Sequence, residues 1–179
     1  MIEIKIVGKG GQGIVLAGEI LAHAAILKGK FASAIAGYSS QARGGDVSCD
    51  VMISEKEISS PFVLKPEYLI SLASEGYEKI IPLISEETKV FLDATICNWK
   101  WERNHFPIPA QKIAQEVCQS PQVANMVILG YFARRTEIVS LDNLCSVLKE
   151  KMKGKTLEVN IKALKEGYFF GGNYEDKDQ

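Results

Sequence analysis

Apolar and polar residues alternate along two segments in the first third of the chain, residues 2–7 and 46–54. Alternation of this kind, with many β-branched residues, is typical of a strand with one buried face. Between them, residues 14–27 contain few helix breakers and predict a helix, while residues 31–36 form a second apolar run. This part of the chain therefore predicts the order strand, helix, strand, strand.

The segment 46–54 follows the second strand too closely for a crossover helix, so we expect these two strands to be antiparallel. Cys49 shares one face of this strand with Val47, Val51 and Ile53. Because successive side chains point to opposite faces of a strand, this position predicts a packing role for the thiol.

The remaining two thirds of the chain continue the alternation of strands and helices. Strands are predicted at 68–73 and 88–93, with a turn and a short strand edge at 57–61 and an edge or lead-in strand at 106–109. Helices are predicted at 75–81, 110–117, 122–134, 141–152 and 156–168. Such alternation favours a largely parallel sheet covered by helices. We expect an α/β fold: a single three-layer domain over residues 1–179, with a mixed, mostly parallel sheet and a Gly-rich turn after the first strand.

The helix at 14–27 has an unusually narrow polar stripe, which contains Glu19 and His23 and ends at Lys28. Most of its circumference is apolar or small, so we expect it to be covered on several sides. Two coverings are open: the sheet together with the helix at 122–134, or a partner subunit.

The Gly-rich turn between the first strand and the first helix contains Gly8, Gly10, Gly11, Gln12 and Gly13. Glycines allow a tight bend and a close approach to a ligand, and free N–H groups at a helix start attract anions. The spacing also fits the dinucleotide-binding fingerprint, but the acidic residue expected about 20 positions later is missing. A NAD dehydrogenase is disfavoured, and close packing of strand on helix is the alternative to an anion site.

A second glycine segment, Arg43, Gly44 and Gly45, follows the second strand. The guanidinium of Arg43 has forked donors that suit phosphate or carboxylate, and a solvated or ion-paired surface arginine is the alternative. In a parallel arrangement both glycine segments follow neighbouring strands and lie at the same edge of the sheet. We therefore expect the two glycine segments to meet and to present unpaired N–H groups to an anion.

Composition and charge exclude several classes of function. The net charge is −1 with acids and bases interspersed, which gives no electrostatic footprint for nucleic acid or an anionic membrane. Without an apolar run near 20 residues or a leader-like start, we expect a cytoplasmic protein. The four cysteines lack iron–sulfur or zinc spacing and two histidines form no nucleophile–base set, so neither a metal site nor a catalytic residue is predicted.

Two segments together resemble a known family: G-K-G-G-Q-G at Gly8–Gly13 and Q-A-R-G-G at Gln41–Gly45, about thirty residues apart. With Ser60-Pro61 and Asn160–Tyr168, they are similar to the gamma subunit of 2-oxoacid:ferredoxin oxidoreductases, the pyruvate and 2-oxoglutarate enzymes. The resemblance implies a subunit of an enzyme that oxidatively decarboxylates a 2-oxoacid to an acyl-CoA and reduces ferredoxin.

The resemblance also implies where the cofactors lie. Thiamine diphosphate and the iron–sulfur clusters are expected on partner subunits, ferredoxin is reached through the complex, and the isolated chain is expected to be inactive and to bind no cofactor alone. Coenzyme A is expected at its edge, near Gly8, Gly10, Gly11, Gln12, Gly13, Arg43, Gly44 and Gly45. The alternative is a purely structural interaction subunit without a small-molecule ligand.

Overall fold

The computed structural model describes residues 1–38, 45–97 and 104–170. These residues form one six-stranded mixed sheet in the order β2-β3-β1-β4-β5-β6. The strands are β1 (Ile2–Lys9), β2 (Phe31–Tyr38), β3 (Asp46–Ser54), β4 (Tyr68–Ser71), β5 (Lys89–Asp93) and β6 (His105–Ile108). The predicted α/β class and the mixed, mostly parallel sheet are confirmed.

Strand β3 runs against the direction of the other five strands. It pairs antiparallel with both β1 and β2, whereas β1, β4, β5 and β6 pair in parallel. The predicted antiparallel pairing of β2 with β3 is confirmed. Since β3 lies between β2 and β1, the expectation that the two glycine segments follow neighbouring strands is wrong, although both strands end at the same edge of the sheet.

The helices are α1 (Ile14–Leu27), α2 (Ser74–Ile80), α3 (Ala110–Glu116), α4 (Ala124–Thr136), α5 (Leu141–Lys151) and α6 (Gly154–Phe169). Short 3-10 turns at Ile81–Leu83 and Pro121–Val123 follow α2 and precede α4. The pattern predicted these helices to within a few residues. The short edge strand predicted at 57–61 does not form, because this segment instead crosses towards β4 without a ladder partner.

Helices cover the sheet unequally, with the larger core between one sheet face and α1, α4, α5 and α6. Phe91 of β5 lies at its centre, stacked on Phe106 at 4.8 Å and edge-on to Phe132 at 5.0 Å between ring centroids. On the opposite face, α2 and the following 3-10 turn cover a smaller cluster around Val7, Leu69 and Leu92. The helix layers on both faces agree with the predicted three-layer arrangement.

Helix α1 is covered by the chain itself. It packs on β2 and β3 and, among the helices, mainly on α5, with a smaller contact to α4. The prediction that the sheet covers α1 is therefore confirmed. The helix that packs most on α1 is α5, where the helix at 122–134 was expected. None of the described helices has the length and apolar composition needed to cross a membrane.

Candidate functional site at the glycine rim

The turn between β1 and α1 depends on two glycines with positive φ. Gly11 has φ +89° and Gly13 has φ +67°, a left-handed conformation that L side chains rarely adopt. Gly13 is also the residue that caps the start of α1, and no side chain serves as the cap there. The first N–H groups of this 14-residue helix have no intrahelical partner, as at any helix start.

The turn after β1 meets Gly45, the one residue of the second glycine segment that the structure describes. The N–H of Gly10 donates to the carbonyl oxygen of Gly45 at 3.2 Å, which joins the turn after β1 to the residue that precedes β3. We call residues 8–13 together with Gly45 the glycine rim. Arg43 and Gly44, which the sequence also placed at this edge, lie outside the described residues.

The prediction that the whole turn presents unpaired N–H groups needs correction. The Gly10 N–H is used by Gly45, and the Gln12 N–H donates to the carbonyl of Lys9 at 3.1 Å, as in an ordinary tight turn. Among the described residues, no acceptor pairs with the N–H of Gly11 or Gly13. The amides open to a ligand are therefore fewer than predicted and lie nearer to α1.

The Gln12 side chain braces the turn. Its Oε1 accepts the N–H of Lys9 at 2.7 Å, and its Nε2 donates to the carbonyl of Leu72, just after β4, also at 2.7 Å. A Cβ on Gly8 would lie 2.7 Å from this Oε1 and 2.5 Å from Ile14 Cδ1, so the brace requires glycine at position 8. Gly8 and the Gln12 side chain thus fix the shape of the turn.

Asn125, at the start of α4, fixes the other end of the turn. Its Nδ2 donates to the carbonyl of Gly13 at 3.0 Å, and a Cβ on Gly13 would lie 2.3 Å from the same atom. Asn125 is almost fully buried, and its Oδ1 accepts the N–H of Met126. Sequence reasoning missed Asn125. Its position as the one polar side chain in the apolar run of residues 123–129 was a usable signal of a buried hydrogen bond.

A narrow cleft of about 170 Å³ opens on one side of the glycine rim. Asp93, at the carboxyl end of β5, lines it, although the residue has no exposed surface. Its Oδ1 accepts the N–H of Thr95 at 2.9 Å and its Oδ2 that of Gln111 at 3.0 Å. Burial raises the pKa of the Asp93 carboxyl, and these N–H donors oppose the shift.

A wide groove of about 660 Å³ lies on the other side of the rim. It runs between the start of α1 and the start of α6, and its wall shares Gly11 and Gln122 with the narrow cleft. Among the described residues that line it, Lys155 is the one with a charge. The groove therefore carries one positive charge and lies next to the N–H groups of Gly11 and Gly13, which have no acceptor within the described part of the chain.

Sequence reasoning missed Asp93, Gln111 and Lys155 as lining residues. Asp93 directly follows a strand, and polar residues at the carboxyl ends of parallel strands are where open α/β sheets bind ligands, so its position was a usable signal. Lys155 carried no such signal because its approach to the rim depends on how α6 packs. No group of three or more metal-ligating side chains occurs in the described part of the chain.

Comparison with known proteins places the chain in a family. The family model for pyruvate ferredoxin/flavodoxin oxidoreductase matches residues 3–170. The 2-oxoglutarate synthase subunit KorC of Methanocaldococcus jannaschii is 36% identical over 93% of this chain and 91% of that protein. The pyruvate synthase subunit PorC of Methanothermobacter marburgensis is 34% identical over 94% and 96%, respectively.

Solved structures agree with this comparison. The gamma subunit of a keto/oxoacid ferredoxin oxidoreductase from Geobacter sulfurreducens superposes with a TM-score of 0.81 at 28% identity, covering 94% of this chain and 96% of that one. A 2-oxoglutarate:ferredoxin oxidoreductase from Magnetococcus marinus, with 2-oxoglutarate, coenzyme A and succinyl-CoA bound, shares the fold. Its TM-score is 0.83 at 23% identity, and the match covers 93% of this chain and 30% of that longer one. With a family model spanning nearly its whole length and relatives above 30% identity, this chain belongs to the pyruvate ferredoxin/flavodoxin oxidoreductase family.

Proposed function

We propose that this chain is the gamma subunit of a 2-oxoacid:ferredoxin oxidoreductase and that it helps to position coenzyme A at the glycine rim. Its relatives are named as subunits of 2-oxoglutarate and pyruvate synthases, which supports a role within a multi-subunit oxidoreductase. Thiamine and iron–sulfur chemistry then belongs to partner subunits, and the isolated chain has no activity of its own. Both pyruvate and 2-oxoglutarate enzymes occur among the relatives, so the proposal names the 2-oxoacid class.

One observation carries the coenzyme A part of the proposal: the N–H groups of Gly11 and Gly13 are unpaired among the described residues and lie beside the wide groove. Free backbone N–H groups at a helix start, with the dipole of a 14-residue helix behind them, favour a phosphate. Lys155 adds a positive charge across the groove. Coenzyme A is the reactant of this enzyme class that brings several phosphate charges.

The chemical contribution of this chain is orientation. Holding the phosphates at the rim fixes one end of a long, flexible molecule, so that its thiol reaches the partner subunits with less loss of entropy. The residues of this chain bind and align, while bond making and breaking take place elsewhere. The structural alternative draws its support from the Gly10–Gly45 hydrogen bond, which joins the two glycine segments without a ligand.

A matched pair of glycines tests the proposal. Gly11 and Gly29 both have strongly positive φ, +89° and +81°, and a Cβ on either would meet no atom within 4 Å. Alanine costs about 1–2 kcal/mol of backbone strain at such a position, so the two substitutions have similar effects on stability. Only Gly11 lies at the rim, and there the methyl group blocks a close approach to the backbone.

In the assembled enzyme, we expect Gly11→Ala to weaken coenzyme A binding by at least about tenfold, a loss of about 1.4 kcal/mol. Gly29→Ala should leave the affinity unchanged. Isothermal titration of the purified complex with coenzyme A measures both. Equal affinities in the two variants, or loss of subunit assembly in Gly11→Ala alone, would support the purely structural role instead.

A further inference from the structure

The turn at the glycine rim has a composition that does not hold its own shape. It contains Gly10, Gly11 and Gly13, and glycine loses more conformational freedom on ordering than any other residue. No side chain caps the start of α1, where Gly13 lies. A ligand that bound a freely moving turn would lose affinity to the ordering of that turn. The N–H groups of the rim therefore bind tightly only when other parts of the fold fix them.

Two side-chain amides fix this turn. Gln12, within the turn, donates to the carbonyl of Leu72. Asn125 reaches the turn from the start of α4, and its Nδ2 donates to the carbonyl of Gly13 at 3.0 Å. The same Nδ2 lies 2.3 Å from the place that a Cβ on Gly13 would take, so the amide also packs closely against this glycine. Gly13 is therefore held both by a hydrogen bond and by direct contact.

Asn125 offers almost no surface of its own to a ligand. The residue is only 2% exposed, although it belongs to the wall of the wide groove. Its Oδ1 accepts the N–H of Met126 at 2.9 Å, so each end of the amide has a partner within the fold. An effect of this side chain on a ligand at the rim therefore passes through Gly13.

We expect the stability of the fold to depend little on this amide. Residues 126–133 of α4 are all buried, and burial of a polar side chain costs free energy that its hydrogen bonds offset. The carbonyl of Gly13 keeps a partner when the amide is removed, because it also accepts the N–H of Ala17 at 3.0 Å. That second bond belongs to α1 itself, whereas Asn125 ties the start of α1 to another helix.

We propose that Asn125 is a positioning residue for the anion site at the glycine rim. It holds Gly13 in the left-handed conformation, φ +67°, in which the N–H groups of Gly11 and Gly13 have no acceptor in the described part of the chain. This inference rests on the proposed function, because it gives Asn125 a share of the affinity for the phosphates of coenzyme A. The site then includes a residue 112 positions away from the turn in the sequence.

Two variants remove the hydrogen bond to Gly13 in different ways. Asn125→Leu replaces the amide by an apolar group of similar size, and Asn125→Asp keeps the acceptor for Met126 but removes the donor. Thr88→Val is the matched control, because Thr88 is 1% exposed and its hydroxyl donates to the carbonyl of Pro66 at 2.8 Å. This control also loses one buried bond from a side chain to the backbone. The bond lies at the amino ends of β4 and β5, at the sheet edge opposite to the rim.

In the assembled enzyme, we expect both Asn125 variants to weaken coenzyme A binding about fivefold or more, with Thr88→Val unchanged. Isothermal titration with coenzyme A measures the affinity. In steady-state kinetics the loss should fall on the KM for coenzyme A and not on kcat, because the positioned groups bind and do not react. Urea denaturation should shift the midpoint at least as far in Thr88→Val as in Asn125→Leu, which separates lost affinity from lost stability. If Asn125→Asp prevents folding or assembly, Asn125→Leu decides the matter.

Wild-type affinity in a folded Asn125 variant, or an equal loss of affinity in Thr88→Val, would overturn the positioning role. The Gly11→Ala titration separates this failure from that of the proposed function. If Gly11→Ala weakens binding and the Asn125 variants do not, the rim binds coenzyme A without help from Asn125. If Gly11→Ala leaves binding unchanged, both proposals are wrong, because no effect of Asn125 then passes through the rim.

Discussion

At the scale of single residues, Cys49 shows how a thiol is used for packing in this chain. It is fully buried, and a Cβ on Gly18 of α1 would lie 2.3 Å from its Sγ. The sulfur thus fills the space that glycine leaves between α1 and β3. The packing role predicted from strand alternation is confirmed, whereas the partner position in the helix could not be known before α1 was placed on the sheet.

Burial of Cys49 gives a testable dependence of stability on pH. Desolvation, together with the nearby charges of Asp50 and Glu19, raises the thiol pKa from 9.0 to about 11. Above pH 9 the unfolded chain loses the proton and the folded chain keeps it. The contribution to stability is therefore complete below pH 9 and decreases by about 1.4 kcal/mol per pH unit until about pH 11.

We expect the free energy of unfolding to fall by about 1–2 kcal/mol more between pH 8.5 and 10.5 in the parent protein than in Cys49→Ala. Urea denaturation of both proteins at the two pH values measures the difference. The comparison removes the contribution of Cys97, whose pKa is raised to about 12 by burial and which is present in both proteins. Equal losses would show that Cys49 ionises in the folded state.

At the scale of elements, the closest helix contact is that between α4 and α6. A Cβ on Gly130 would lie 2.0 Å from the carbonyl oxygen of Leu164, and one on Gly167 would lie 1.8 Å from that of Val127. Each helix thus places a glycine against the backbone of the other. At this distance even a methyl group must move the helices apart.

We expect Gly167→Ala to lower the free energy of unfolding by about 3 kcal/mol, at the upper end of the usual cost of overpacking. Gly154→Ala, in the same helix, is the control. Its φ of +58° costs about 1 kcal/mol, but a Cβ there meets no atom within 4 Å. Chemical denaturation compares the two, and similar losses would mean that α6 shifts easily along α4.

Element boundaries were predictable where one physical signal dominated. The alternation in 46–54 predicted β3, and Ser140 predicted the start of α5, where its hydroxyl accepts the N–H of Asn143 at 3.1 Å. The strand predicted at 57–61 failed because composition alone cannot supply a ladder partner. The hydrogen bonds that the Gly10 and Gln12 N–H groups make within the turn could not be predicted from the sequence either. They depend on where Gly45 lies and on the geometry of the turn.

At the scale of the whole molecule, one core joins the sheet to most of the helices. Phe91 contacts aromatic rings from β6 and α4, at Phe106, Tyr131 and Phe132. Residues of α1, α5 and α6 belong to the same cluster. The prediction of a single domain over residues 1–179 therefore leads to a clear expectation, which is that the chain unfolds as one cooperative unit.

Phe91→Ala tests this expectation, because it should destabilise the whole molecule by about 3–5 kcal/mol. Circular dichroism at 222 nm and tyrosine fluorescence should then report the same shifted midpoint in urea. Phe169→Ala is the control, since that ring is 73% exposed and its removal should cost less than about 0.5 kcal/mol. Two separate transitions would contradict the single domain.

The reversed direction of β3 has a consequence for how this protein can change over time. Strand β3 starts at the sheet edge where β2 ends, and its register is set by the pairing with β2 on one side and with β1 on the other. Because two ladders hold β3, insertions or deletions between β2 and β3 should leave this register intact. The length of the segment between β2 and β3 can therefore vary, whereas the residues paired in the two ladders must be preserved.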